Sequence, residues 1–284
     1  MRKTLVNVRN ETSTERIPGA ALRGSFLNLT KKEVATMKSP YHFGRKALLR
    51  SIACLLALVC LPVFSIEGWA AQIPFSKAKI IFEFNSTPQD LGIQVSLDGE
   101  PWNEITIVDP KGRTILEIEA AGRLKNFGLT ELFAESNEPN FEDVPAEDIL
   151  ARFPAGVYKF LGKTVEGNKL VGTAMLTHAI PDGPSDVSAV MNGDLVISWV
   201  PPPTVSSLTG LPINIVGYQV IVERADNDQL GAAPRIFDVK LPTVTSVTVP
   251  PEFLEPNTGY KFEVLAIEVG GNQSITEGQP FVTP

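Results

Sequence analysis

Between residues 72 and 284, hydrophobic side chains recur mostly at every second position, in short runs separated by Gly, Pro, Asn and Asp. That period of two marks half-buried β-strands. Ile80, Phe82 and Phe84 alternate with Lys79, Ile81 and Glu83, and Ile93, Val95 and Leu97 form a second run closed by Asp98-Gly99, a hairpin signal. Ile105 and Ile107 share a face, and Asp109-Pro110-Lys111-Gly112 predicts a type I turn with Pro at its second position. Leu116, Ile118 and Ala120 then alternate with Glu117 and Glu119. These runs predict antiparallel strands with one solvated face. A helical interlude follows: Thr130 caps a helix over 131–135, and Asp143-Val144-Pro145 opens a second whose Ile149, Leu150 and Phe153 face the core, with Pro154 as its stop. Strands over 157–163 and 169–177 flank a Glu166-Gly167-Asn168 turn and complete a β-rich domain over 72–180 with one or two short helices.

Pro181-Asp182-Gly183-Pro184 reads as a linker, either a hinge or a fixed corner. Beyond it come strands at sandwich spacing. Val187 to Val190 is the first, turned by Asn192-Gly193; Leu195, Ile197 and Trp199 point inward along the second, and Tyr218, Val220 and Val222 along the third. Val247 and Val249 mark another, and Tyr260, Phe262, Val264 and Ala266 a fifth. Gly270-Gly271-Asn272 turns the chain towards a last strand near 279–282.

With Trp199 on the second strand, Tyr218 on the third and Leu254-Glu255-Pro256-Asn257-Thr258-Gly259-Tyr260 ahead of the fifth, residues 181–284 resemble a fibronectin type III domain. The last segment is similar to the family's tyrosine corner, in which a Tyr hydroxyl bonds back to the preceding chain. The resemblance implies an immunoglobulin-like sandwich in which Trp199, Tyr218, Leu254 and Tyr260 define the fold. It implies no single function, since such modules serve as spacers, adhesion units and protein-binding units. Pro201-Pro202-Pro203 and a long loop over 204–212 depart from the pattern, and no Arg-Gly-Asp tripeptide occurs. Residues 153–184 also resemble segments found beside such domains in secreted bacterial proteins.

The front of the chain reads as an address. Lys38, Arg45, Lys46 and Arg50 precede an uncharged run over 51–66, and Gly68-Trp69-Ala70-Ala71 follows. A basic n-region, an apolar core and small residues at the cleavage site predict a signal peptide over 37–71, cut after Ala70. The run is short of the roughly 20 residues needed to span a bilayer, and Pro62 interrupts it. Residues 1–36 are polar and unpatterned, which suggests a disordered extension or a true start at Met37. Cys54 and Cys60, the chain's 2 cysteines, both fall in the signal segment, so the exported chain is expected to have no disulfide.

Charge sharpens this division. Of the chain's 25 Lys/Arg and 32 Asp/Glu, residues 1–71 hold 11 and 4, so the remainder carries 14 and 28, a net charge of −14. An acidic surface of that kind repels nucleic-acid backbones and anionic lipid. Nucleic acid is therefore not expected as a partner, and the membrane is met only through the signal segment during export.

Candidate chemistry is sparse. His178 is the one His beyond the signal segment and lies at a strand end, a position that favours a structural role. No Gly-x-Ser-x-Gly motif or phosphate-binding Gly loop occurs. Glu131, Glu135, Glu138, Glu142 and Asp143 cluster in the helical interlude, with Glu131 and Glu135 on one helix face, and supply a carboxylate-glycosidase alternative. Asp226-Asn227-Asp228 offers oxygen ligands in a loop, but Phe237 stands where an EF-hand needs its acid, so no metal is assigned. Trp102 is the Trp left for a sugar platform.

The expectation is a mainly β, non-enzymatic, secreted or periplasmic protein of two antiparallel domains, without a cofactor. Its binding candidates are Trp102, Asp226, Asp228 and Asn272, with loops over 226–233 and 269–274 contacting a protein partner. A polysaccharide on Trp102 is the alternative.

Overall fold

In the computed structural model of the chain, residues 71–226 and 235–284 are described, and they lie within one compact unit, Glu67–Pro284. The signal segment, both cysteines, Met37 and Asp228 fall outside the described residues.

The middle module begins with β1 (Gln72–Pro74), β2 (Lys77–Asn85), β3 (Asp90–Val108) and β4 (Thr114–Glu119). A single-turn α1 (Leu124–Phe127), β5 (Leu129–Glu135), α2 (Ala146–Arg152), β6 (Gly156–Thr164) and β7 (Lys169–Leu176) follow. β3 is the spine. Its first half pairs with β2 and β5, its second half with β4 and β6, and the pairing register jumps between Asp98 and Trp102.

The hairpin expected at Asp98-Gly99 is therefore absent: the strand bends there and changes partners. A type I′ turn needs positive φ at both central residues, and Gly99 does not adopt it. Gly99 serves packing instead, because a Cβ there would press on the Phe75 ring. The helix expected over 131–135 is also absent. Leu132 and Ala134 point into the core from β5 while Glu131, Phe133 and Glu135 point out, and pairing with β3 overrides helix propensity. The Asp109 turn does form, its carboxylate accepting the N–H groups of Lys111 and Arg113 at 2.8 Å each. α2 follows Pro145 and buries Ile149.

The C-terminal module is a two-sheet sandwich. β8 (Ser185–Asn192), β9 (Asp194–Val200) and β12 (Ser246–Val249) form one sheet in the order β12-β9-β8. β10 (Ile215–Arg224), β11 (Ile236–Leu241), β13 (Gly259–Glu268), β14 (Gln273–Glu277) and β15 (Phe281–Val282) form the other. Leu195, Ile197 and Trp199 from the first sheet face Tyr218, Val220, Tyr260 and Phe262 from the second. Tyr260 makes the corner: its Oη accepts the Glu255 N–H at 2.9 Å and reaches the Phe253 carbonyl at 3.5 Å.

The two modules share a sheet. β14 pairs in parallel with β2, so Gln273, Ser274 and Ile275 stand beside Glu83, Phe84 and Asn85. The sheet thus runs β1-β7-β6-β3-β2-β14-β13-β10-β11 and is mixed rather than purely antiparallel, since β1 also pairs in parallel with β7. Side chains secure the seam. Ser86 Oγ donates to the Ile275 carbonyl at 2.7 Å and lies 2.8 Å from Thr276 Oγ1, and the Glu277 N–H donates to Thr87 Oγ1 at 3.0 Å. Gly183 passes so close to Ser86 and Thr276 that a Cβ would collide with both hydroxyls. The linker is a fixed corner, with Ile180 fully buried and Ser274 Oγ bonded to the Pro181 carbonyl. The long 204–212 loop has its reason here too. Leu208 packs on the middle module's core, and Asp182 Oδ1 accepts the Ser207 N–H and hydroxyl at 3.0 and 2.8 Å.

Candidate interaction face

Alternation along the shared sheet decides which side chains lie on the face turned away from the sandwich core. Tyr260, Phe262, Val264 and Ala266 of β13 enter the sandwich core, so Lys261, Glu263, Leu265 and Ile267 take the other side. The registers carry that side across the seam, through Gln273, Ile275 and Glu277 of β14 to Ile81, Glu83 and Asn85 of β2, then to Gln94 of β3 and Glu135 of β5. One face therefore crosses both modules without a break.

Its middle is apolar and covered, contrary to the expectation of a solvated β2 face. Ile81 is 2% exposed, Leu265 3% and Glu83 6%. β14 continues the sheet beside β2, so Ile81 and Glu83 are flanked by side chains of β14 as well as of β3. Glu83 is held by the Gln273 side chain across the seam. One carboxylate oxygen from each of Glu83, Glu135 and Glu138 lies within 4.8 Å of the other two. Glu138 Oε2 accepts from Asn85 Nδ2 at 3.1 Å, while its Oε1 is buried without a hydrogen bond.

Burial and like charge both raise these carboxyls. Burial pushes the Glu138 carboxyl up to about 7, assisted by Glu135, Glu83 and Asp90 and opposed by Asn85. Burial likewise pushes Glu263 up to about 7, with Glu83, Glu223 and Glu277 adding to it and Lys261 opposing. Glu83 is raised as well, first by burial. It acts on both others, so the acids of the two modules form one electrostatic group.

The residues singled out from sequence lie elsewhere or serve other purposes. Trp102 has 0% exposure at the centre of the middle core, so no sugar stacks on it. Asn272, expected in an exposed contact loop, is 1% exposed and ties the modules together. Its Oδ1 accepts the Phe82 N–H at 2.9 Å, and its Nδ2 donates to the carbonyls of Thr177 and Ala179 at 3.0 and 2.9 Å. With Ser274 also buried, the loop over 269–274 is largely consumed by the seam. Both oxygens of Asp226 are taken by the Arg224 guanidinium at 2.8 and 2.7 Å, and Arg224 also reaches Glu255 at 3.0 Å. That grip holds the Asp226 carboxyl below its ordinary value.

His178 is structural, its Nε2 lying 2.9 Å from the Phe153 carbonyl and its ring edge-on to Phe82. Glu131 and Glu135 share a strand face, opposite Asp98 and Gln94. The sequence singles out Glu138 but not Glu83 or Glu263. Their signal is a carboxylate at the outward position of a largely apolar strand, in Ile80–Phe84 and, two residues after Lys261, in Tyr260–Ala266.

Residues 182–283 match the family model of the fibronectin type III domain. Among solved structures, the chain is similar to the FN5 domain of Drosophila Lar at 23% identity, covering 37% of this chain and 98% of that one with a TM-score of 0.28. It is also similar to the FN1–FN3 domains of chicken CNTN1 at 16% identity, covering 75% of this chain and 64% of that one with a TM-score of 0.32. No curated protein matches the chain. A fibronectin type III module points in general to a non-enzymatic binding or scaffolding role.

Proposed function

We propose that the chain is an exported protein of bacterial type, secreted or periplasmic, that binds or scaffolds a protein partner and carries out no catalysis. The observation that supports it is the shared sheet. A β2–β14 seam fixes a fibronectin type III module to a second β module, so the exposed surfaces of both are held on one rigid frame. Rigid presentation lowers the ordering cost of association. Export rests on the basic and apolar pattern of residues 37–71.

The full-length chain, tagged at its C-terminus and carrying a photo-crosslinking residue in place of Phe133 or Ile236, tests both parts. Phe133 and Ile236 are 63% and 52% exposed, on the outward side of β5 and β11. The expected result is an exported product beginning at Ala71 and crosslinked to another protein. A product retained in the cytoplasm with residues 37–71 intact overturns export, and crosslinks to glycan alone overturn the protein partner.

A further inference from the structure

The second half of β3 carries a different face of the middle module. Tyr158 and Phe160 of β6 pack in the core, so alternation turns Val157, Lys159, Leu161 and Lys163 outward. Leu170 and Leu176 of β7 pack in the same core, which turns Lys169, Val171, Thr173 and Met175 outward beside them. The apolar side chains here are not covered: Val157 is 44% exposed, Leu161 42% and Met175 55%. Val157 stands opposite Met175 and Leu161 opposite Val171, so they are paired neighbours on the sheet rather than scattered single residues. Contiguous exposed apolar surface of this kind marks an interaction site. A depression of about 170 Å³ lies between β3 and β6 on the same face, lined by Glu104, Thr106, Leu161, Gly162 and Lys163.

The charges of this face say what covers it. The registers place Glu119 of β4, Glu104 of β3, Lys163 of β6 and Lys169 of β7 in one row across four strands. In the next row, Glu117, Thr106, Leu161 and Val171 follow one another in the same order. Acids thus occupy the β4 and β3 side and lysines the β6 and β7 side. A row that reads acid, acid, lysine, lysine is its own complement. When a second copy is turned over it about a two-fold axis parallel to the strands, between β3 and β6, Glu119 meets Lys169 and Glu104 meets Lys163. The same axis passes through the depression and sets Leu161 of each copy against Thr106 of the other. We propose that the β4-β3-β6-β7 face is a two-fold interface with a second copy of this chain. Such an interface uses one patch on both subunits and so demands a self-complementary surface. The existing ion pairs do not oppose it. Lys163 lies 3.5 Å from Glu104 and Lys125 3.2 Å from Glu119, all four about half exposed, and exposed pairs of this kind are weak enough to exchange partners. Lys159, Lys169 and Glu117 make no side-chain ion pair or hydrogen bond among the described residues. Phe133, by contrast, lies on β5, beside the first half of β3. The assignment therefore goes beyond the protein-partner reading and does not depend on it.

The test is sedimentation velocity of the full chain from micromolar to submillimolar concentration, with two charge-reversed variants. Lys163→Glu with Lys169→Glu makes the row wholly acidic, and Glu104→Lys with Glu119→Lys makes it wholly basic; all four positions are exposed, so neither change touches the core. The expected result is a dimer for the parent and a dimer dissociation constant raised tenfold or more in each variant alone, because like charges then face each other. An equimolar mixture of the two variants should restore dimers, since an acidic row then faces a basic one. Net charge alone predicts otherwise, as the second variant carries less net negative charge than the parent and still loses the dimer. A parent that stays monomeric across the range overturns the proposal and leaves the face to a different protein. A dimer that survives both reversals overturns it by placing the contact elsewhere, and a mixture that stays monomeric overturns the pairing of acids with lysines. None of these outcomes bears on the photo-crosslinks, which test the protein-partner reading separately.

Discussion

Asn272, in the turn between β13 and β14, takes the backbone N–H of Phe82 on its side-chain oxygen at 2.9 Å, joining strands 190 residues apart in sequence. The same amide donates to the carbonyls of Thr177 and Ala179, so one side chain satisfies three backbone groups from the other module. Ala in its place leaves those groups buried without partners. Each such group costs about 1–3 kcal/mol, so Asn272→Ala is expected to lower stability by at least about 2 kcal/mol in urea unfolding and to expose the β2–β14 amides to hydrogen exchange. A change below about 0.5 kcal/mol would show that the seam holds without this clamp.

The linker glycine makes an independent claim on the seam. A Cβ on Gly183 meets the hydroxyls of Ser86 and Thr276, which themselves bond across β2 and β14. Gly183→Ala is expected to cost about 1–3 kcal/mol, the range for forced overpacking. Ser86→Gly in the same chain should recover part of that loss. If Gly183→Ala is as stable as the parent, the linker has room to move and the corner is not fixed.

Much of the fold is legible in the sequence because its strands alternate cleanly. Trp199, Tyr218 and Tyr260 sit on such runs and fall in the core of one sandwich. The seam is not legible, for two physical reasons. β14 reads Gln-Ser-Ile-Thr-Glu, with one large apolar residue, so it carries no alternation to detect. And β2 buries Ile80 to Phe84 on both sides, so it lacks the wet-and-dry alternation that marks a half-buried strand. Asp98-Gly99 misleads because a turn dipeptide specifies a turn only if the backbone takes positive φ; the core around Phe75 instead keeps β3 running through it. The acidic face is hidden with the seam, since Glu83 and Glu263 lie 180 positions apart and meet only once β14 joins β2.

Trp102 separates a packing role from a binding one. Fully buried at the bend of β3, it should cost about 3–5 kcal/mol on truncation to Ala. Its indole N–H has no hydrogen-bond partner, so Trp102→Phe forfeits no bond and should cost well under half as much. Chemical denaturation of the two variants decides this; equal losses would mean that the indole nitrogen is engaged.

Removing the Tyr260 hydroxyl tests the corner directly. Its Oη accepts the Glu255 N–H, and Phe at this position leaves that donor without its partner. Tyr260→Phe is expected to destabilise by about 1–2 kcal/mol with the ring packing against Phe281 retained. A neutral substitution would show that solvent satisfies Glu255 equally well.

The raised carboxyls set the direction in which stability changes with pH. Glu138 and Glu263 titrate near 7 in the folded chain, driven first by burial and then by the acids around them, against about 4.3 when unfolded. Between those values the folded state holds more protons than the unfolded one, so stability falls as pH rises through the window. The stabilising share is complete below about 4.3 and gone above about 7. Asp109 acts in the opposite sense: burial raises its carboxyl, but hydrogen bonds from Arg113 and Lys111 outweigh burial and hold it low. Its contribution is therefore present above about 3.9 and is lost only as acid protonates it. The two trends place the maximum of stability on the acidic side of neutrality, between about 4 and 5.5. Thermal midpoints measured from pH 4 to 8.5 should fall above pH 5 and level off near 8. Glu138→Gln combined with Glu263→Gln should flatten the fall and raise the midpoint at pH 8, because the repulsion it removes is the one that grows with pH. A parent midpoint that rises from pH 5 to 8 would mean that the acids across the seam are neither buried nor coupled as their geometry requires.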